Sequence, residues 1–359
     1  MRIEMTAGHL ADAMKLVGRI VERRNTIPVL GAVKFADSRL IGTNLDMELS
    51  VAVPAFTMPD GSAVIDSALL AAIARHVGRD ERLCISIADD QATARFNGSE
   101  YQMPFYPVGD YPDFGAVDGQ ASHLGNTGLV AALGRVAFAI STEETRYYLN
   151  GAAIVARDGV SHVCATNGHL LAVLPVDGLP DAAAGSIIHS SAVKFLTGIG
   201  REPETVIFQR EKPRARFDWP GMTLSAKLID GAFPDIWRVI PQEPTPVFSL
   251  DRAVALPVLK RIRAFTRRAR QIVRIEGSPS GLVVGAVVDG GSARETLALT
   301  EAPAEPFVVG YNIDYLITCL SAFSDDVVTF SAHGGLPGNP ALMTCADDPL
   351  CIVLMPGRV

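Results

Sequence analysis

The chain has 359 residues, of which 48% are apolar and 20% charged, which is enough for two or three packed domains and excludes a disordered or collagen-like chain. Five irregularly spaced cysteines give no disulfide framework, Met1 leads into Arg2 and Glu4 without an apolar leader, and no run nears the roughly 18 apolar residues that span a bilayer. A cytoplasmic protein is expected, and its formal net charge of −7 argues against nucleic-acid binding only if charge is spread evenly.

In chain order, apolar residues at helical spacing predict a first helix from His9 to Val17, on Leu10, Met14 and Leu16-Val17. A second helix is predicted over Ser67–His76 and a strand over Leu83–Ile87. Gly115–Gly125, polar and rich in glycine, reads as a linker. Beyond it come a helix on Leu129-Val130, Leu133 and Val136, strands over Ala152–Val155 and His162–Ala165, and a helix over Ser191–Ile199. Pro241–Pro246 is a second, proline-rich linker. Pro257 falls where the next opening helix belongs, so that helix either begins at the proline or is kinked by it. A last helix over Ile313–Phe323 and a strand over Val327–Phe330 close the series.

The element order repeats because the sequence does. Thr43-Asn44 recurs as Thr166-Asn167, and Val64-Ile65-Asp66-Ser67 as Ile187-Ile188-His189-Ser190, each 123 residues on. Ala94-Arg95-Phe96 returns as Ala215-Arg216-Phe217 after 121 residues, and Tyr111-Pro112-Asp113-Phe114 as Phe233-Pro234-Asp235-Ile236 after 122. Phe307–Asn312 marks a fainter third copy. A period near 120 residues is too long for a solenoid, so each copy is read as a domain: 1–117, 120–242 and 246–359. Two helices and many short strands per copy predict an α+β fold, with helices packed on one face of a sheet.

From Arg252 to Ile275 there is no Asp or Glu, against eight basic residues: Arg252, Lys260, Arg261, Arg263, Arg267, Arg268, Arg270 and Arg274. Such a run is either a solvated face or one whose self-repulsion a polyanion relieves. Catalytic patterns are missing. Gly277–Gly281 puts Pro279 at the nucleophile position of a G-x-S-x-G motif, His333-Gly334-Gly335 has no nucleophile, and neither a P-loop nor a dinucleotide fingerprint occurs. Cys345 and Cys351 lack the partners of a zinc site, and all five thiols read as buried and apolar. His169 lacks a partner carboxylate, and Glu143-Glu144 reads as solvated. No metal, cofactor or enzymatic activity is expected.

Five stretches follow one another from residue 23 to the end: Arg23–Leu30 (RRNTIPVL), Thr142–Gly151 (TEETRYYLNG), Ala165–Ala172 (ATNGHLLA), Lys227–Pro241 (KLIDGAFPDIWRVIP) and Val353–Val359 (VLMPGRV). Together they resemble the bacterial DNA polymerase III β sliding clamp family, whose pattern reads R-x-T-x-P-[IV]-L, ETRYYLNG, ATDGHRLA, KLIDGxFPDYxRVIP and VxMPMRL. The resemblance implies three tandem like-folded clamp domains, each with two helices packed on antiparallel sheet, closing as a ring dimer around double-stranded DNA. It implies a processivity factor that tethers the replicative DNA polymerase without sequence specificity, with a clamp loader and other clamp-binding-motif proteins as partners, at the nucleoid. A clamp-fold paralogue serving a specialised partner or an inhibitor is the alternative.

On that resemblance the DNA-facing positions are Arg24 and Arg75, joined on helix position and charge by Arg135, Lys194, Arg201, Lys260, Arg261, Arg263 and Arg267. The family's partner groove, which takes peptides with a Gln and apolar anchors, maps onto Leu149, Thr166, Gly168, His169, Leu170, Leu171, Pro234, Arg238, Val239, Pro340, Val353, Leu354, Met355, Pro356 and Arg358. The dimer contact maps onto Tyr101 and Met103 of one chain and Ala264 and Phe265 of the other. The chain departs from the family at Asn167 (usually Asp), Leu170 (usually Arg), Gly357 (usually large and apolar) and Val359 (usually Leu). The missing side chain at Gly357 is expected to thin one groove wall and weaken peptide binding.

Overall fold

The computed structural model describes residues 2–22, 26–57, 61–88, 91–125, 127–266 and 271–358. They form two compact units, residues 1–126 with 201–228 and residues 127–200 with 229–359.

In the first unit, helix α1 (Ala7–Val17) starts at Thr6, whose hydroxyl accepts from the His9 amide at 3.2 Å. It buries Leu10, Ala13, Met14 and Val17 and exposes Asp12 and Lys15, an amphipathic stripe. Helix α2 (Ser67–His76), capped by Asp66 through the Leu69 amide at 3.0 Å, packs beside it. A five-stranded sheet runs in the order Ala55–Thr57, Arg2–Thr6, Arg82–Ala88, Gln91–Phe96, Ser99–Met103. A nine-stranded sheet runs Phe105–Tyr106, Ser62–Asp66, Ala32–Ala36, Arg39–Thr43, Met47–Ala52, Met222–Lys227, Arg214–Trp219, Thr205–Gln209, Ser122–His123. Its middle joins the first sequence copy to the second, with Leu49 opposite Leu224 in an antiparallel ladder. This pairing is why residues 201–228 belong with the first unit, although the repeat assigns them to the second copy.

The second unit carries helices α3 (Leu129–Val136), α4 (Ser190–Ile199), α5 (Arg252–Thr266) and α6 (Ile313–Ala322). Its eight-stranded sheet runs Ile187–His189, Gly151–Arg157, Val160–Thr166, Leu170–Val176, Cys351–Leu354, Ala341–Thr344, Val327–His333, Pro244–Asp251. The seam between second and third copies is again a ladder, with Leu171 opposite Val353. A four-stranded sheet runs Gly291–Leu297, Gly281–Val288, Ile272–Ser278, Phe307–Asn312. The helix over Pro257 does not begin at the proline: α5 runs through it from Arg252, and the Asp251 carboxylate takes the Ala253 and Val254 amides at 2.7 and 3.2 Å. A proline in a helix interior costs about 3 kcal/mol, offset here by burial of Ala255, Val258, Leu259 and Ile262.

The sequence landmarks are structural ones. Asp66, His189 and Asn312 cap α2, α4 and α6 and lie 123 residues apart each time. Thr43-Asn44 and Thr166-Asn167 build the same hairpin turn. Thr43 Oγ1 donates to the Met47 carbonyl at 2.9 Å, and Thr166 Oγ1 to that of Leu170 at 2.6 Å. Asn44 Oδ1 accepts the Asp46 and Met47 amides, and Asn167 Oδ1 those of His169 and Leu170, at 2.8–3.1 Å. The residue following each Asn is left-handed, Leu45 at φ +74 and Gly168 at φ +86.

Candidate functional site

The turn at Thr166–Leu170 is the first wall of an apolar cleft of about 290 Å³ within the second unit. Leu170 and Leu171 continue from it as its floor, and Val353 and Met355 stand across the ladder, with the Met355 amide donating to the His169 carbonyl at 2.9 Å. Pro234, Asp235, Ile236 and Val239 close another side, on a short turn that the Asp235 carboxylate caps through the Trp237 amide. Tyr148 and Leu149 come from the turn Glu144–Leu149, which also brings the Arg146 guanidinium to the rim. Arg146 donates to Glu143 at 2.8 Å and to the Asn167 carbonyl at 3.3 Å. A Cβ at Gly168 would sit 2.5 Å from Arg146 Nη1, so glycine both permits the positive φ and makes room for this cation.

Of the residues mapped to a groove, Leu149, Thr166, Gly168, Leu170, Leu171, Pro234, Val239, Val353 and Met355 line this cleft. The others do not. His169 stacks on Tyr315 at 5.7 Å, and Leu354 is fully buried opposite Leu170. Arg238, Pro340 and Pro356 are not among the lining residues. Arg358 is placed elsewhere, in a hollow with Arg274, Glu276 and Arg294 over the four-stranded sheet. Gly357 is not a thinned wall either: its amide donates to the Gly310 carbonyl at 2.8 Å, and a Cβ there would fall 2.6 Å from Ile272. Asn167 accepts the amides a carboxylate would accept, so its exchange for Asp removes a charge and keeps the turn. Arg146, Tyr148, Asp235 and Ile236 were missed as liners, although each lies inside a motif already singled out.

The cationic positions divide. Arg75 is exposed and shares a groove between α1 and α2 with Lys15, Arg19 and Arg79, the last paired to Asp12 at 2.7 Å. Lys194, Arg201 and Lys260 are exposed. Arg135 is not available as a free cation: it grips both oxygens of Asp348 at 2.7 and 2.6 Å. The basic run on α5 is also less bare than the sequence implies, since Arg252, Arg261 and Arg263 pair with Asp326, Glu295 and Asp314, and Arg274 with Glu276. Arg24 and Arg267 lie outside the described residues.

Ser99–Met103 and Gly291–Leu297 are edge strands of their sheets. Tyr101 is 50% exposed and stacks on Phe96 at 5.5 Å, and Phe265 is 39% exposed beside Gly291. Ala264 is exposed. Met103 faces inward, 4% exposed, on the floor of an apolar hollow with Leu69 and Ile73, so it is not displayed at the edge.

Among the described residues no group of three or more His, Cys, Asp or Glu side chains is placed to hold a metal ion. The cysteines are unpaired, and burial pushes the Cys164 and Cys319 thiols up to about 12. Glu143 pairs with Arg146, and His333 Nδ1 lies 2.8 Å from the Gln242 carbonyl.

Two family models match the chain: the N-terminal domain of the DNA polymerase III beta subunit over residues 1–115 and its central domain over residues 124–235. The beta sliding clamp of Caulobacter vibrioides (strain NA1000 / CB15N) is 29% identical over 379 residues, covering 100% of both chains. A crystal structure of the DNA polymerase sliding clamp from Caulobacter crescentus is 30% identical and matches 100% of both chains at a TM-score of 0.89. The sliding clamp from Bartonella birtlesii bound to griselimycin is 28% identical, with the same coverage and a TM-score of 0.88.

Proposed function

The chain belongs to the family of DNA polymerase III beta subunits, the beta sliding clamps, and we propose that it encircles duplex DNA as a head-to-tail homodimer and holds the replicative polymerase there. It is a processivity factor and not an enzyme. The observation that carries the partner side of this reading is the apolar cleft at the seam of Leu170–Val176 and Cys351–Leu354, rimmed by Arg146 and Asp235. Such a pocket suits a short peptide with apolar anchors and one or two polar contacts, the element by which the polymerase, the clamp loader and other partners dock.

Sliding sets an unusual requirement. Contacts to DNA must be weak, independent of sequence and screened by salt, because base-specific contacts would stall the ring. Exposed Lys15, Arg75, Lys194, Arg201 and Lys260 supply such phosphate contacts, and retention comes from encirclement. Three domains, 1–117, 120–242 and 246–359, each bring one helix pair. Ser99–Met103 of one protomer pairs with Gly291–Leu297 of the other, Tyr101 and Phe265 covering the join, which removes two open sheet edges at once. The protein works in the cytoplasm, where the chromosome lies.

Primer extension tests the reading. With the polymerase and clamp loader of the same cell, adding this protein should lengthen the product made per binding event, and Met355→Glu should return it toward the polymerase-alone length. Products of unchanged length on adding the wild-type protein would sink the proposal.

A further inference from the structure

We propose that Arg135 and Asp348 form a clip that positions the partner cleft, rather than a contact to DNA; the proposal rests on the cleft being the peptide site. Arg135, in the last turn of α3, donates to both Asp348 oxygens at 2.7 and 2.6 Å and to the Ala322 carbonyl, at the end of α6, at 3.1 Å. The Asp348 side chain has no exposed surface. It also accepts from the Ser324 amide and hydroxyl at 2.9 and 2.8 Å and from the Leu350 amide at 3.0 Å. One carboxylate thus gathers the end of α3, the residues after α6, and the segment that leads directly into Cys351–Leu354.

That strand is the one whose register builds the cleft. Leu170 faces Leu354 and Leu171 faces Val353, and Val353 and Met355 carry the far wall. A strand alternates faces, so a slip of one residue would turn Val353 out of the cleft and bring Leu354 in. Asp348 fixes the start of the strand through the Leu350 amide, and the Gly357–Gly310 hydrogen bond fixes the chain beyond it. Burial by itself would raise the Asp348 carboxyl, but the hydrogen bonds from Arg135, Ser324 and Leu350 outweigh it and hold the group well below the usual carboxylate range. The Asp348 carboxyl therefore stays ionised at neutral pH. Arg135 cannot leave it for a phosphate without abandoning a buried carboxylate.

The test uses the full-length protein, a fluorescent peptide carrying a Gln with Leu and Phe anchors, and amide hydrogen exchange across residues 170–176 and 351–355. Arg135→Met, similar in length but uncharged, should weaken the peptide at least tenfold and speed exchange in those two segments, with Arg82–Phe96 exchanging as in the wild type. Arg135→Lys, which keeps the charge without the two-pronged grip, should fall between. A merely structural role would lower Tm and speed exchange throughout without this local pattern, and would overturn the proposal. So would a Kd within twofold of wild type with unchanged exchange at the seam. If Arg135→Met does not fold, Arg135→Lys and Asp348→Asn decide by the same two readouts. A wild-type protein that binds no peptide would refute the peptide reading of the cleft, and the exchange pattern at the seam would then decide the clip alone.

Discussion

Met355 closes one side of the cleft with 37% of its surface still exposed, and a seated peptide would cover that remainder. Burying a whole Met side chain is worth about 1.5–3 kcal/mol, so roughly a third of it, about 0.6–1.1 kcal/mol, is available to binding. Met355→Ala is therefore expected to weaken a Gln/Leu/Phe peptide about 3- to 6-fold. Stability should change little, because the Met355 amide still donates to His169 and the side chain is already part-exposed. Val353→Ala is the contrast: at 1% exposure, in a core with Ile187, Ile236 and Leu342, it should cost about 1–3 kcal/mol of stability and lower Tm. A tail deletion should begin at Met355 rather than Leu354, since Leu354 is buried and paired with both Leu170 and Ala341. Titration calorimetry on Met355→Ala and on the chain ending at Leu354 reads the result. Peptide affinity unchanged in both would refute the assignment of this wall.

Charge reversal at Lys15 and Arg75, both exposed, should leave Tm unchanged while impairing loading onto DNA; binding of the wild type to short linear duplexes should be weak and fall steeply with salt, and a marked sequence preference would count against sliding. Light scattering at micromolar concentration should give about twice 38.2 kDa for the wild type and a shift toward monomer for Phe265→Ala; a wild-type monomer unaffected by the substitution would contradict the proposed join. His162, edge-on to Trp237 at 4.9 Å, is pushed below the usual histidine range by burial and by Arg157. The unfolded chain thus takes up this proton first, so stability should fall as pH drops below about 6.5, and His162→Gln should flatten that slope in urea titrations; an identical slope would show that another group titrates.

Much of the fold was legible because the duplication preserved residues with fixed local jobs. A cap needs only a side chain that accepts the first helical amides, and Asp66, His189 and Asn312 all do this, so the positions repeat while the residue types drift. The Thr-Asn turns repeat for the same reason. What stayed hidden depends on partners distant in sequence. Arg135 looks like a free helix cation until Asp348 meets it 213 residues on, and Arg261 and Arg263 look unpaired until a neighbouring strand and α6 supply Glu295 and Asp314. Leu354 sits in a matching motif, yet strand alternation turns it to the face opposite Val353 and Met355, and Met103, at the end of its strand, is covered beside Leu69 and Ile73. Arg358 lies away from the cleft, beyond Gly357, whose amide pairs with the Gly310 carbonyl and whose Cα passes close to the Ile272 side chain. The division into compact units was equally out of reach, since ladders such as Leu49–Leu224 cross the copies that the repeat separates.

Retention on DNA is topological: the protein stays because it surrounds the duplex. The direct measurement is to load the protein onto a nicked circular plasmid with a clamp loader and ATP, isolate the complex, and then cut the plasmid once. Protein that remains on the circle through isolation, in salt that abolishes binding to short duplexes, and that leaves promptly once the DNA is linear is the expected result. Equal retention on circular and linear DNA, or none on either, would contradict it.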